Sequence, residues 1–520
     1  MAVESELRAL IRSRAPRLLA LGEPTHLEPA FPRLRNEILD VLIELGFRSV
    51  VLESDRVAGL AVDDFVRGRR DTVDLASGLS HGLGHLTGNR DLVARLRTHN
   101  EKVPEADQVS FHGFDAPLEM MSAASPARYL RNLCDYLGEP ASDVDRLAGD
   151  EGRWSDPAAQ LDPARSIGRS PEAAALRVRT DDLLTLLYAQ APRLIERTSV
   201  ADWHRARVNG IAALGLLRHH AVAADPAPAA ERTSRMLAVR DALMAQNLLD
   251  ILEQEHDRGP TLVFAHNRHL QAHPSRWKLA GMDLEWFSAG ATVAAVLGSG
   301  YVFVAGSLGA SPSLGLADPE PGSFEASLSG TGWFTPAAVR GRPRVTAEPQ
   351  YFPLDPETIE RSDAIMHVSA GDDPVAETAA RILSLPGVSE HVIEPGSGMP
   401  DYTWGDRFFF AGADRKRPFA TIVRHDVPDF DTSSQLDRPG VYRLNIELGR
   451  AEFRRAFGFG PEEFAEHRDE IDFTVADRLV PHPAYAVQGW GSVVNPGPAT
   501  AAEVERLLEY ARSRSAARQR

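Results

Sequence analysis

Histidines, carboxylates and arginines gather in this sequence where short apolar runs end. Leu18 to Leu21 runs into Gly22-Glu23-Pro24-Thr25-His26, and Ser49 to Leu52 into Glu53, Ser54 and Asp55. Val109 to Phe111 runs into His112, Gly113, Phe114 and Asp115, and Thr261 to Ala265 into His266-Asn267-Arg268-His269. An imidazole titrates near neutrality, so it can take a proton from water, and a nearby carboxylate can hold its ring in one orientation. Glu23, just before His26, suits the orienting role. Arg35 suits stabilisation of an oxyanion, and His266 and His269 suit contact with substrate oxygens or a second acid/base pair. Each group also has a structural use. Thr25 and Glu28 have the spacing of a capping box, Glu53 can pair with an arginine, and His81, His85, His219 and His220 have no evident partner and read as ordinary residues. The same Glu and His side chains offer N and O ligands, so metal-dependent hydrolysis stays open beside metal-free catalysis. Ser54 lacks a G-x-S-x-G elbow, and no H-E-x-x-H, Walker or dinucleotide fingerprint occurs.

The elements that must carry these residues follow from periodicity. Between the first two apolar runs, Phe31, Leu34, Ile38, Leu42 and Leu45 recur at helical spacing, with Gly46 where a C-cap belongs. Strand, helix and strand with short connections predict parallel βαβ units, whose ligands bind outside the carboxyl ends of the strands. The stretch from about 127 to 254 is mostly helical and reads as a large insert on the sheet. Tyr301 to Ala305 and Ala364 to Val368 read as later strands, while the Gly-, Ser- and Pro-rich stretch 307–332 reads as a loop or flap near a site. A boundary is expected near 371–374. Beyond it, Phe419 to Val423, Tyr442 to Ile446 and Trp490 to Val494 read as strands, and a helix from Thr500, with Glu503 at capping-box spacing, turns Val504, Leu507, Leu508 and Ala511 inward. The fold class expected is α/β, a parallel sheet with surrounding helices and a helical insert, followed by a smaller α+β domain.

With 520 residues, two or more domains are expected. The formal net charge of −16 repels phosphate backbones, and no basic run with interleaved aromatics appears, so nucleic acid is not an expected partner. Cys134 is the only cysteine, which excludes an intrachain disulfide and a Cys-cluster zinc site, and it reads as a buried, inert thiol. Residues 1–14 are interrupted throughout by charge and lack a signal peptide's apolar region, and no window approaches the length of a spanning helix, so a membrane is not expected and the cytoplasm is the expected address.

Five motifs in order carry a resemblance. They are L-G-E-P-T-H (Leu21 to His26), V-L-E-S-D (Val51 to Asp55), F-H-G-F-D (Phe111 to Asp115), R-D-A-L-M-A-Q-N-L (Arg240 to Leu248) and F-A-H-N-R-H (Phe264 to His269). Over residues 5–370 the sequence resembles the erythromycin esterase family. The resemblance implies a parallel-sheet α/β core with a cleft at the strand ends, and hydrolysis of macrolide lactones with no cofactor or metal. It implies His26 as the residue that activates water, Glu23 as its acidic partner, and Arg35, His266 and His269 as further catalytic groups. Glu53, His112, Asp115, Arg240 and Asn247 are the substrate-binding residues expected from the same motifs, and a small-molecule ester is the expected partner. The segment Ser80 to Asn89 departs from the family by showing His81 and His85 in place of a tryptophan-rich stretch. Residues 375–520 look like an actinobacterial domain of unknown function, on the runs Trp404-Gly405-Asp406, Pro418 to Thr421, Leu436 to Gly440 and Pro481-His482-Pro483. There Trp404, Asp437, Arg438 and His482 are candidates for a groove, with turn and core roles as the alternative. A binding protein without turnover, or a non-hydrolytic step on the same base, is the other reading of the whole chain.

Overall fold

A computed structural model describes residues 2–119, 122–346, 348, 350–371, 373–394, 396–412, 415–438, 441–497 and 499–518. Pro439, Gly440 and Pro498 of the expected turns lie outside the described residues. The chain divides into two compact units, residues 1–309 with 318–370, and residues 310–317 with 371–520.

The larger unit is built on a seven-stranded sheet. Its strands are β1 (Leu18–Glu23), β2 (Ser49–Asp55), β3 (Ser110–Asp115), β4 (Thr261–His266), β5 (Tyr301–Ala310), β6 (Gly332–Phe334) and β7 (Ala364–Ala370), in the order β6-β7-β5-β1-β4-β2-β3. β1 pairs in parallel with both β4 and β5, and β2 in parallel with both β4 and β3, while β6 and β7 form an antiparallel edge. The central strands are buried at every position. That explains why they read as unbroken apolar runs and not as alternating ones, since a parallel sheet is covered on both faces. The strand distant in sequence, β4, lies between β1 and β2.

Helix Ala229–Gln254 joins the sheet to the helical insert. Its Leu243 belongs to the insert's core with Leu130, Leu133, Leu183 and Leu216, whereas Met244, Leu248 and Ile251 pack in the sheet's core. Cys134 is fully buried in the insert, and burial raises its thiol, in keeping with an inert role. One expectation is corrected and one element is added. The stretch 307–332 is not a single flap, because residues 307–310 extend β5 and Phe324, Glu325 and Leu328 are buried. The hairpin Pro274–Leu279 with Met282–Phe287 went unread because its turn uses Ala280 at φ 47° beside Gly281 at φ 78°, and alanine is not a residue that signals positive φ.

The smaller unit holds a separate sheet of six strands, β8 (Val388–Val392), β9 (Arg407–Ala411), β10 (Ala420–Val423), β11 (Arg443–Glu447), β12 (Leu479–Pro481) and β13 (Trp490–Val494), in the order β8-β9-β10-β11-β13-β12 and antiparallel throughout. The last helix, Ala501–Ala517, buries Val504, Leu507, Leu508 and Ala511 as expected. Its start is capped differently from the expected box. Asp477 accepts the backbone N–H groups of Gly497, Ala499 and Thr500 at 2.8–3.0 Å and the Thr500 hydroxyl at 2.6 Å, so a carboxylate distant in sequence does the work assigned to Thr500 and Glu503. Among the described residues no helix is long and apolar enough to cross a membrane. Asp477→Ala leaves these donors without their acceptor and should lower stability by about 2 kcal/mol, read as a lower urea midpoint of the full chain; an unchanged midpoint contradicts the capping role.

Candidate active site at the strand ends

Glu23 closes β1, and the next three residues turn to present His26. Asn267 can pack against the strand here because Gly22 has no side chain: a Cβ would come 2.1 Å from Asn267 Oδ1. Asn267 accepts from the Gly306 N–H and donates to the Gly306 carbonyl, which ties the loop after β4 to β5. Thr25 accepts from the Leu27 N–H and Glu28 from the Ala30 N–H. These local turns replace the expected capping box, and the helix Ala30–Glu44 begins after them.

His26 Nδ1 lies 2.7 Å from Glu23 Oε1, and Nε2 lies 3.6 Å from Glu53 Oε1, with a third of the His26 side chain exposed (34%) and both carboxylates buried. The His266 ring packs edge-on to His26, centroids 5.3 Å apart. Glu53 is the centre of the arrangement. Besides His26, its Oε1 faces His269 Nε2 at 3.3 Å and Arg240 Nη2 at 3.1 Å, while Oε2 accepts the His266 N–H at 2.9 Å. His269 is fixed from behind by Asp241, 2.9 Å from its Nδ1, and Asp241 in turn accepts from Trp286 Nε1 and the Ala289 N–H. Arg240 also clamps Asp115 at the end of β3, at 2.5–3.1 Å, and Asp115 lies 2.9 Å from His81 Nε2.

The electrostatics follow from these contacts. Burial disfavours a charged His26, but Glu53 and Glu23 outweigh it and push the imidazole up to about 10. Burial raises the Glu23 carboxyl despite His26. Glu53 is held well below its ordinary value, burial being overcome by His269, His26 and Arg240. His269 is raised, since Asp241 and Glu53 outweigh its burial. His266 is driven well below its ordinary value by burial and by the neighbouring His26.

Of the other expected residues, Arg35 and His266 adjoin His26 but have their hydrogen bonds committed to the protein, and His112 and Asn247 lie away from it. Arg35 is fully buried; its nitrogens go to the neutral oxygens of Asn36, Asn89 and Gly88, and burial lowers it to about 9, against the pull of Glu23. With Glu23, His26, Glu53 and Asn89 it lines a cavity of about 10 Å³, room for about one water. Glu23 Oε2 is buried and without a hydrogen-bond partner among the described residues. This placement suits balancing the charge of Glu23 and not meeting a substrate. His266 has both ring nitrogens committed, Nε2 to the Pro24 carbonyl and Nδ1 to the Arg268 N–H, which leaves it no proton to exchange. His112 is not brought to the cluster: it pairs with Glu255 and Arg56. Asn247 is buried and donates to the Phe114 carbonyl, tying its helix to β3. His81, which has no evident partner in the sequence, meets Asp115 here, and Asp241, within the R-D-A-L motif, and Trp286 join the cluster without being among the expected residues. Among the described residues no cluster of three or more His, Cys, Asp or Glu is arranged to hold a metal ion. In the smaller unit, His482 is buried and accepts the Ala484 and Tyr485 N–H groups, and Arg438 donates to the Ser434 and Gln435 carbonyls. These are turn and core roles, while Asp437 and Arg438 also line a cavity of about 220 Å³, in keeping with the groove alternative for those two.

A family model described as erythromycin esterase matches residues 43–370, and one described as a family of unknown function (DUF6194) matches residues 374–520. Glu23, His26 and Arg35 precede the matched stretch. Among solved structures, a mutant of the erythromycin esterase EreC in its open conformation is 16% identical, covering 71% of this chain and 94% of that one, with a TM-score of 0.53. A Bacillus cereus protein is 15% identical, covering 71% and 93%, with a TM-score of 0.52, and a succinoglycan biosynthesis protein is 14% identical, covering 70% and 91%, with a TM-score of 0.52. At such identities the likeness is one of fold. No curated protein sequence matches.

The raised His26 has a consequence for any reaction in which its neutral form takes a proton. The rate should climb with pH above neutrality and level off near pH 10, as the ring loses the proton that Glu53 and Glu23 stabilise. Glu53→Gln removes one of those charges and should move the climb to lower pH; a profile unmoved by that change refutes the assignment.

Proposed function

The chain belongs to the erythromycin esterase family, and from that premise we propose that it hydrolyses a carboxylic ester, a lactone or related ester of a macrolide-like natural product, with water activated at His26. The observation that carries the reading is the His26–Glu23 contact of 2.7 Å, with a partly exposed imidazole on a buried carboxylate. In this mechanism Glu23 holds Nδ1–H, and Nε2 takes the proton from water as the oxygen adds to the ester carbonyl. A carboxylate on either side makes the neutral ring a strong base. Arg240, partly exposed beside Glu53, supplies the positive charge nearest the developing oxyanion, the part that Arg35 is too deeply buried to play. His269, between Asp241 and Glu53, and His266, packed on His26, keep the two reacting neighbours in place. A second cavity, of about 510 Å³, is lined by Asp55, Ser80, Glu119 and several further serines. Its serines suit a hydroxyl-bearing ligand, but His26, Glu53 and Arg240 are not among its described lining residues, so it is a neighbouring space and not the His26 cavity.

Incubation with a panel of macrolides and simple esters should yield a product heavier by one water, detected by mass spectrometry. His26→Asn should reduce turnover by about 10³-fold or more with the melting temperature kept, and exhaustive chelation should leave turnover intact. Undiminished hydrolysis by His26→Asn would end this mechanism, and loss on chelation would favour a metal-dependent one.

A further inference from the structure

Ester hydrolysis needs a proton for the departing alkoxide as well as a base for water, and most imidazoles of the cluster cannot give one. His266 has both nitrogens in hydrogen bonds to backbone, and His269 is buried between Asp241 and Glu53. His26 receives the proton from water and, as the imidazolium, could return it, so a separate acid has to be an imidazole that holds a proton of its own. The imidazole that remains is His81. Its Nε2 is held 2.9 Å from Asp115 Oδ2, while Nδ1 lies 3.6 Å from Glu119 Oε2, beyond hydrogen-bond distance, and makes no hydrogen bond among the described residues. The side chain is partly exposed, at 18%. His26 on Glu23 and His81 on Asp115 are therefore two dyads of one kind, a reachable ring anchored on a buried carboxylate, and they flank the Glu53–Arg240 ion pair, with Arg240 Nη2 3.4 Å from His81 Nε2.

The backbone around His81 is built to hold it there. His81 sits at φ +58°, in the left-handed region that few residues with a side chain adopt. The Ser80 N–H donates to Ser54 Oγ, Ser80 Oγ accepts the Asp55 N–H, and the His81 N–H is taken by the Glu119 carboxylate at 3.1 Å. Ser80, next to His81, and Glu119, which accepts the His81 N–H, line the cavity of about 510 Å³; His81 itself is not among its described lining residues.

We propose that His81 is the general acid of this reaction, an inference that rests on the ester-hydrolase reading above. His26 takes one proton from water, and the hydroxide oxygen forms a bond to the carbonyl carbon. As the tetrahedral adduct collapses, the bond from that carbon to the ester oxygen breaks, its electron pair goes to the leaving oxygen, and His81 Nδ1 delivers a proton there. The products are a carboxylic acid and an alcohol. Solvent then takes the proton from His26 and returns one to His81, which restores the enzyme.

The test compares two butyrate esters that share an acyl group and differ in their leaving group, p-nitrophenyl and ethyl. Only the poor alkoxide needs an acid. His81→Asn, chosen because asparagine tolerates the left-handed backbone, should cut kcat/KM for the ethyl ester about 100-fold more than for the aryl ester, with melting temperature confirming the fold. Equal losses on both esters, or none, overturn the proposal while leaving the hydrolase reading in place. In the wild type, kcat/KM across a series of aryl and alkyl butyrates should vary little with leaving-group basicity; a steep fall overturns the proposal even if the variant does not fold. A wild type that leaves every ester of the series and the macrolide panel intact overturns the hydrolase reading and this inference with it.

Discussion

Glu53 carries a charge almost out of reach of water, and a buried carboxylate persists only if cations and donors surround it. Taking one partner from such a network costs about 3–5 kcal/mol, so each of its neighbours is under constraint. Three positively charged or chargeable groups face a single oxygen, Arg240, His269 and His26, and the second oxygen takes a backbone N–H. The same contacts that satisfy Glu53 place the His26 ring, raise its affinity for a proton and leave it open to solvent on one side. In the proposed mechanism, folding and chemistry are served by one arrangement.

Around that centre the polar groups fall into two layers. The buried layer, Asp241, His269, His266 and Arg35, has its hydrogen bonds committed to the protein. The reachable layer, His26, Arg240 and His81, is anchored on carboxylates but open at one edge. Helix Ala229–Gln254 feeds both, since the adjacent residues Arg240 and Asp241 diverge, one toward Asp115 and Glu53, the other toward His269, Trp286 and Ala289. That helix is also the one shared by the cores of the sheet and the insert, which makes it a rigid base for the site.

The smaller unit manages a buried charge differently. Arg443 on β11 is paired with Asp431 at 2.6 Å, with Ser434 and Asn445 filling its other positions, and nothing about this network is left open. It resembles a core fastening, and it contrasts with the larger unit, where an imidazole is held ready at the surface.

The strands and their polar ends were legible because a parallel sheet buries each central strand whole, which leaves unbroken apolar runs and sudden carboxylates and imidazoles after them. Glu23, His26, Glu53 and His269 were found from that pattern. His112 and Asp115 follow the same apolar run, yet a strand turns residues three apart to opposite faces, and His112 lies against Glu255. His81 left no local signal: its meaning comes from Asp115, Ser54 and Glu119, which the chain brings to it from elsewhere. Sequence by itself determined which residues end the strands and which faces are apolar, because burial and the two backbone periodicities act over a few neighbours. Only the tertiary structure decided which carboxylate meets which imidazole. β4 joins the sheet between β1 and β2 after more than half the larger unit has been made, and hydrogen bonds of a few ångströms cannot be assigned until that order is fixed.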